Sequence, residues 1–298
     1  MIIVKLMGGL GNQMFQYAAA RRLAYVNRAP LKLDLHWFDN VPKGDTTRKY
    51  GLHVFDCVQE VASESEVKSL RGMDISRWPG AIKRLLKSCR IEPDRYHVRE
   101  KHYHFEPALL EYRGDAYIDG FWQSPKYFDD VTDMVRNDFT FVRLPDSTTK
   151  RLLDQISSTD AVSIHVRRGD YVSNAITSQY HGLNTMEYYR SAIKRMLSLV
   201  PEPVFYVFSD DLQWVKNELQ IDGEVVYVEH NNSDDTSFED MRLMSACKDH
   251  IIANSSFSWW GAWLNPSRSK TVIAPKMWFN ETTGVNTRDL LPGDWIRL

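Results

Sequence analysis

The chain has 298 residues, 37 Lys+Arg against 39 Asp+Glu for a formal charge of −2, and 43% hydrophobic with 26% charged residues. This is the composition of an ordinary globular protein of about two domains; it excludes a disordered or fibrous chain and a generally basic surface for nucleic acid, while leaving room for a local basic pocket. No run approaches the roughly 20 apolar residues that span a bilayer, the opening apolar run is too short for a secretory signal, and Cys57, Cys89 and Cys247 form no CxxC pair, so the expected compartment is a reducing cytoplasm.

In chain order, the apolar run 2–6 reads as a strand, 8–11 as a glycine-rich break, 14–27 as a helix and 30–35 as a second strand. Phe15, Ala19, Leu23 and Val26 recur at helical spacing and Asn27 supplies a stop, so the chain opens β-α-β. Segment 57–103 is mixed, helical in part and broken at Trp78-Pro79-Gly80. The second half predicts strands at 161–167, 204–208, 224–228, 251–253 and 271–274. Tyr189, Ile193, Met196 and Val200 mark a helix capped by Thr185, and Phe238, Met241, Met244 and Cys247 mark another, with Ser237 and Asp240 as a capping box. Apolar strands alternating with helices predict a parallel sheet covered on both faces, with ligands bound outside the carboxyl ends of its strands. A break near Pro145 divides the chain into 1–146 and 147–298.

Four segments carry chemistry. In Ser163-Ile164-His165-Val166-Arg167-Arg168-Gly169-Asp170 a strand ends in a basic cluster, and alternation sets Ser163, His165 and Arg167 on one face. Buried polar side chains need partners; a diphosphate suits guanidinium forks, and structural ion pairs with Asp170 or another acid are the plainer alternative. After strand 204–208, Asp210 and Asp211 can accept from ribose hydroxyls or guanine N–H groups, cap the following helix, or both. Asn254, Ser255, Ser256 and Phe257 lead from a strand into a helix start suited to an anion, while Trp259, Trp260 and Trp263 read as core. Gly8-Gly9-Leu10-Gly11-Asn12-Gln13-Met14 looks like a dinucleotide fingerprint, but Met14 occupies the third glycine position and Gly-Lys-Ser/Thr is missing, so a dehydrogenase and a phosphate-loop NTPase are both set aside. Gly8, Gly9 and Gly11 then mean close backbone approach, a substrate being one candidate. His102 and His104 share a face without a third ligand. Asp-x-Asp occurs nowhere, so no metal is expected, and the arginines with a helix end must meet the diphosphate charge.

Taken in order, MGGLGNQMFQYA at 7–18, YIDGFWQSPKYF at 117–128, HVRRGDYV at 165–172, SDD at 209–211 and ANSSFSWWGAWLN at 253–265 resemble the bacterial α-1,2-fucosyltransferases of glycosyltransferase family eleven, over nearly the whole chain. The resemblance implies an α/β fold of GT-B type, two Rossmann-like domains facing a cleft, with GDP-fucose held mainly by the carboxyl-terminal one. It implies inverting transfer from GDP-β-L-fucose to the 2-hydroxyl of a terminal galactose, without a cofactor or metal. Arg167, assisted by Arg168, should contact the diphosphate; His165 with Asp210 or Asp211 should lie near guanine and ribose; Ser255, Ser256 and Phe257 should line the diphosphate end. Asn12 should project into the cleft. Asp170, Asn254, Gly9 and Gly11 complete the expected donor set, and peripheral contact with a membrane-borne lipid-linked glycan fits the acceptor. Competing readings are a fucosyltransferase of α-1,6 or protein O-linkage and a non-catalytic GDP-sugar or glycan-binding protein. For a catalytic base, Asp34, His36 and Asp39 after the second strand are candidates, beside a mechanism with no dedicated base.

Overall fold

Backbone hydrogen bonding divides the chain into two sheets, and every strand pair among the described residues is parallel. The structure is a computed structural model and describes residues 1–42, 44, 46–72, 79–88, 95–168, 184–231 and 235–298. Two compact units result, Met1–Thr140 and Phe141–Leu298.

The first unit contains β1 (Ile2–Lys5), α1 (Leu10–Asn27), β2 (Leu31–Asp34), α2 (His36–Asp39), α3 (Glu64–Arg71), α4 (Gly80–Ser88), β3 (His97–Arg99), α5 (Ala108–Glu111), β4 (Ala116–Asp119) and α6 (Thr132–Asp138), with sheet order β2-β1-β4-β3. The α1 sequence holds no proline and a run of three alanines, good helix formers, and it is buried on most of its circumference. It starts earlier than the apolar spacing predicts, at Leu10, because Gly9 already serves as N-cap; it ends at Asn27 as expected, with a left-handed Arg28 (φ 50°) as C-cap and the Asn27 amide donating back to the Leu23 carbonyl at 2.9 Å. On the opposite face Ile3 and Tyr117 pack against Val67 and Leu70 of α3. Ser63 and Glu66 close a capping box at the start of α3, a Ser-x-x-Glu signature.

The second unit contains α7 (Ser147–Ser157), β5 (Asp160–Val166), α8 (Met186–Leu197), β6 (Pro203–Ser209), α9 (Leu212–Glu218), β7 (Glu224–Tyr227), α10 (Phe238–Ala246), β8 (Asp249–Ile251), α11 (Ser256–Leu264), β9 (Val272–Ala274) and β10 (Ile296–Arg297). Its order, β7-β6-β5-β8-β9-β10, is the doubly wound order in which connections run outward both ways from the first strand, so the switch point lies between β5 and β8. Alternation along β5 sends Val162, Ile164 and Val166 against Tyr189, Ile193 and Met196 of α8, and Ala161 toward Leu152, Ile156, Leu243 and Met244 of α7 and α10. Both faces are covered, as full apolarity of the strands requires. Ser163, on the second face, is satisfied by His250 Nδ1 at 2.8 Å, and Asn265 Nδ2 lies 3.1 Å from His250 Nε2.

Three local expectations change. β5 stops at Val166, so Arg167 lies beyond the strand rather than on its polar face. β8 covers 249–251 rather than 251–253, because only these residues pair with β5 and β9 while the apolar run continues buried past the strand end. The capping box at Ser237 does not form; Asp240 accepts instead from Asn231 Nδ2 at 2.8 Å. Thr185 does cap α8, accepting from Tyr188 N at 3.2 Å.

Candidate functional site

In the second unit the polar side chains gather where the topology switches. His165, next to last in β5, is 6% exposed and its ring centroid lies 6.0 Å from that of Phe257. Burial first, and then the neighbouring Arg167 charge, push its imidazole down to about 4, so it is neutral at neutral pH. Its buried Nδ1 has no hydrogen-bond partner among the described residues, the kind of orphan that a bound ligand resolves. Two residues on, Arg167 Nη1 pairs with Asp210 Oδ2 at 2.9 Å, and the other oxygen of the same carboxylate accepts from the Arg168 backbone N–H at 2.8 Å. Asp210 therefore ties the first arginine's side chain to the second one's main chain. Arg168 Nε reaches Asp211 Oδ2 at 3.3 Å, and its guanidinium stands 3.9 Å over the Trp214 ring. Asp211 also caps α9 through Trp214 N at 3.2 Å. The ion-pair and cap readings of these acids thus hold together, with Asp210 and Asp211 as the partners of the arginines. Asp170 lies outside the described residues.

Beyond the end of β8, Asn254 is buried and its amide donates to the Trp278 carbonyl at 3.1 Å. Ser255 is the N-cap residue of α11 but contributes no side-chain cap, and Ser256 and Phe257 form the first turn. The helix is anchored from behind: Trp259 and Trp260 are fully buried, and the Trp259 indole N–H donates to the Leu290 carbonyl at 3.0 Å. These tryptophans are core, as expected.

The first unit builds a different cluster across its own switch, between β1 and β4. Gly8 has φ +74°, and a Cβ there would lie 2.7 Å from Asn12 Nδ2; at Gly9, φ −74°, nothing lies within 4 Å of one. The close approach inferred from the glycines is thus met at Gly8 by the chain's own Asn12, while Gly11 is buried within the first turn of α1. Asn12 Oδ1 accepts from Gln123 Nε2 at 2.8 Å, and Gln123 Oε1 in turn accepts from the Tyr103 hydroxyl. An amide whose oxygen takes a phenol hydrogen must offer N–H at its other end. Tyr103 therefore fixes Gln123, and Gln123 fixes Asn12 with its oxygen inward.

What aims Gln123 is Glu100. Its carboxylate accepts from Phe121 N at 2.7 Å and Trp122 N at 3.0 Å, holding a turn in which buried Trp122 has φ +55°, a conformation that costs of order 1–3 kcal/mol for a bulky side chain. Burial pushes Glu100 up to about 7 against the pull of those two N–H groups. Gln13 and Gln16 brace the same loops: Gln13 bonds Gly8 O and Lys49 O, both at 2.9 Å, and Gly51 N at 2.8 Å, and Gln16 Oε1 accepts from Met7 N at 3.0 Å. Glu100, Gln123, Gln13 and Gln16 are absent from the sequence-derived set. No apolar periodicity marks them: Gln13 and Gln16 lie off the Phe15–Ala19–Leu23–Val26 stripe and are buried because α1 is enclosed on most of its circumference. His102 and His104 stack at 5.0 Å, and no group of three or more metal-ligating side chains gathers among the described residues.

Residues 95–298 match Glycosyl transferase family 11. Over 301 residues the chain is 36% identical to the alpha-1,2-colitosyltransferase of Escherichia coli, covering 100% of this chain and 98% of that one. It is 33% identical to the O-antigen biosynthesis glycosyltransferase WbnK of Escherichia coli, over 98% and 99% of the two chains. Among solved structures it is similar to NodZ alpha-1,6-fucosyltransferase of Bradyrhizobium co-crystallized with GDP, with TM-score 0.51, 16% identity and coverage of 89% and 92%. That likeness is one of fold, the GT-B type expected from the motifs.

Proposed function

The chain belongs to glycosyl transferase family 11, and on that premise we propose that it transfers L-fucose from GDP-β-L-fucose to the 2-hydroxyl of a terminal galactose, inverting the anomeric centre to form an α-1,2 linkage. The observation that carries this reading is the group at the β5–β8 switch: a buried neutral His165 with an unpartnered Nδ1, two arginines aligned by Asp210 and Asp211, and the start of α11, which Ser255 does not cap with its side chain. As the bond from the anomeric carbon to the diphosphate breaks, negative charge grows on the departing GDP. Arginine forks and helix N–H groups already aimed by their surroundings meet that charge without reorganising. With Asp-x-Asp missing from the sequence, the arginines serve where a divalent cation otherwise would. His165 Nδ1 suits a ribose hydroxyl or a guanine edge.

A second donor is favoured by one specific observation, the 36% identity to a protein named alpha-1,2-colitosyltransferase. Colitose lacks the 3-hydroxyl of fucose, so the two readings differ by one hydroxyl on the donor and share the linkage. The name of the WbnK relative places that protein in O-antigen biosynthesis, which supports an O-antigen glycan as acceptor here; a terminal galactose on that glycan, met in the cytoplasm on a lipid carrier, is part of the proposal. Incubating the protein with GDP-fucose or GDP-colitose and lactose, in excess EDTA, tests the reading. GDP release and an α-1,2-linked trisaccharide are expected. Binding of the GDP-sugar without release of GDP would make the protein a binding module, and an α-1,6 product or a strict need for added magnesium would each refute the corresponding part.

A further inference from the structure

Asp34 closes β2, is 3% exposed, and uses both carboxylate oxygens. Oδ1 accepts from the His36 backbone N–H at 3.0 Å and lies 2.6 Å from His36 Nδ1; Oδ2 accepts from the Tyr117 hydroxyl at 2.6 Å. Burial, and then the bond to Asp34, push the Tyr117 hydroxyl well up, so it remains a donor at every working pH. With Nδ1 engaged by the Asp34 carboxylate, Nε2 is the ring nitrogen left for a ligand, and in the neutral imidazole with its hydrogen on Nδ1 it is an acceptor. The His36 side chain is 47% exposed and, with Trp37, lines a pocket of about 690 Å³ beside Lys5, Lys68 and Arg71. That volume is within the usual range for small-molecule sites.

The charges of this pocket are largely paired. Lys5 holds Asp119 at 3.0 Å, Lys68 holds Glu64 at 2.8 Å, and Asp34 holds His36, with Arg71 exposed at the end of α3. The His36 ring nitrogen and the Trp37 indole, both in the lining, suit a pyranose ring with hydroxyl donors along its rim and an apolar C–H face. We propose that this pocket is the subsite for the acceptor sugar, a neutral galactopyranoside whose hydroxyl donates to His36 Nε2, with Asp34 as the positioning residue that fixes the imidazole. The assignment rests on the glycosyltransferase reading and names where its acceptor is held.

Two measurements on the full chain test it. In steady-state kinetics with GDP-fucose, His36→Ala should raise KM for lactose about five- to tenfold, the loss of one hydrogen bond, while kcat at saturating lactose and the affinity for GDP stay unchanged. His36→Gln, which can present an amide oxygen, should recover part of the loss. Asp34→Asn, which keeps the bond to the His36 backbone but loosens the tautomer, should move KM in the same direction with kcat intact. An unchanged lactose KM in His36→Ala overturns the proposal, as does a collapse of kcat with KM unchanged. Saturation-transfer NMR of lactose with the protein alone separates this idea from the function reading. Saturable binding lost in His36→Ala supports the subsite even if no donor is turned over, and equal binding by both proteins overturns it even if turnover is normal.

Discussion

The two units solve the same topological problem with opposite chemistry. Each gathers its polar residues where the strand order reverses, but the second unit does so with full charges, Arg167 and Arg168 set by Asp210 and Asp211, and the first with neutral amides, Asn12 set by Gln123 and Tyr103. The arginine arrangement gives strong fields that carboxylates hold in aim. The amide arrangement gives direction without net charge, because each donor–acceptor polarity is dictated by the one before it. On the proposed reading this divides the work: charge where a diphosphate departs, and oriented neutral contacts where an alcohol must be placed.

The strongest way to break this contrast is at Arg167. Arg167→Ala should lower kcat about 10² to 10³-fold with the fold intact, the usual loss of a preorganised donor to developing charge. Arg167→Lys should fail almost as badly, since an ammonium cannot reproduce a fork held on Asp210; circular dichroism and turnover together check both. In the first unit, Gln123→Glu keeps the shape but removes the N–H that Asn12 Oδ1 accepts. Turnover should fall roughly 10 to 100-fold through misplacement, with GDP affinity unchanged by calorimetry; equal losses in both quantities would mean that the relay is only scaffolding.

The smallest effects are in stability against pH, and there the two units slope in opposite directions. Glu100 is raised from 4.5 to about 7, so its folded form binds protons more readily than its unfolded form. The stability this contributes is complete below about pH 4.5 and disappears as pH rises through 7. His250, lowered by burial and then Lys270 from 6.5 to about 3, contributes stability above pH 6.5 that is lost as pH falls toward 3. Subtracting the Tm-against-pH curve of Glu100→Gln from that of the wild type should give a difference that rises on acidification from pH 7.5 to 5. The same subtraction with His250→Asn should give one that falls.

The second unit was the more legible in the sequence because its strands are buried on both faces and read as uninterrupted apolar runs, such as Val204 to Phe208. Arg167, Asp210 and Ser255 could be placed at strand ends for the same reason. In the first unit β3 is three half-buried residues at a sheet edge, too short for any period to show. Glu100 and Gln123 were invisible because their importance lies in a turn and in the partners that turn brings together. Ser63 with Glu66 has the Ser-x-x-acid pattern and closes a box, whereas Ser237 with Asp240 has it and does not, since Asn231 engages the carboxylate. A local motif describes an option, and long-range partners decide whether it is taken.

The glycines near the first switch differ in how much of their identity the fold itself demands. Gly8 is bound to its conformation, and at Gly120 a side chain would meet Glu100 Cβ at 2.4 Å, so a randomised library should lose folded protein at both positions. Gly9 has ordinary dihedrals and open space around the missing Cβ. A folded Gly9→Ala protein that no longer turns over therefore reports what approaches from outside the chain, and a Gly9→Cys protein carrying a small spectroscopic label would register that approach directly.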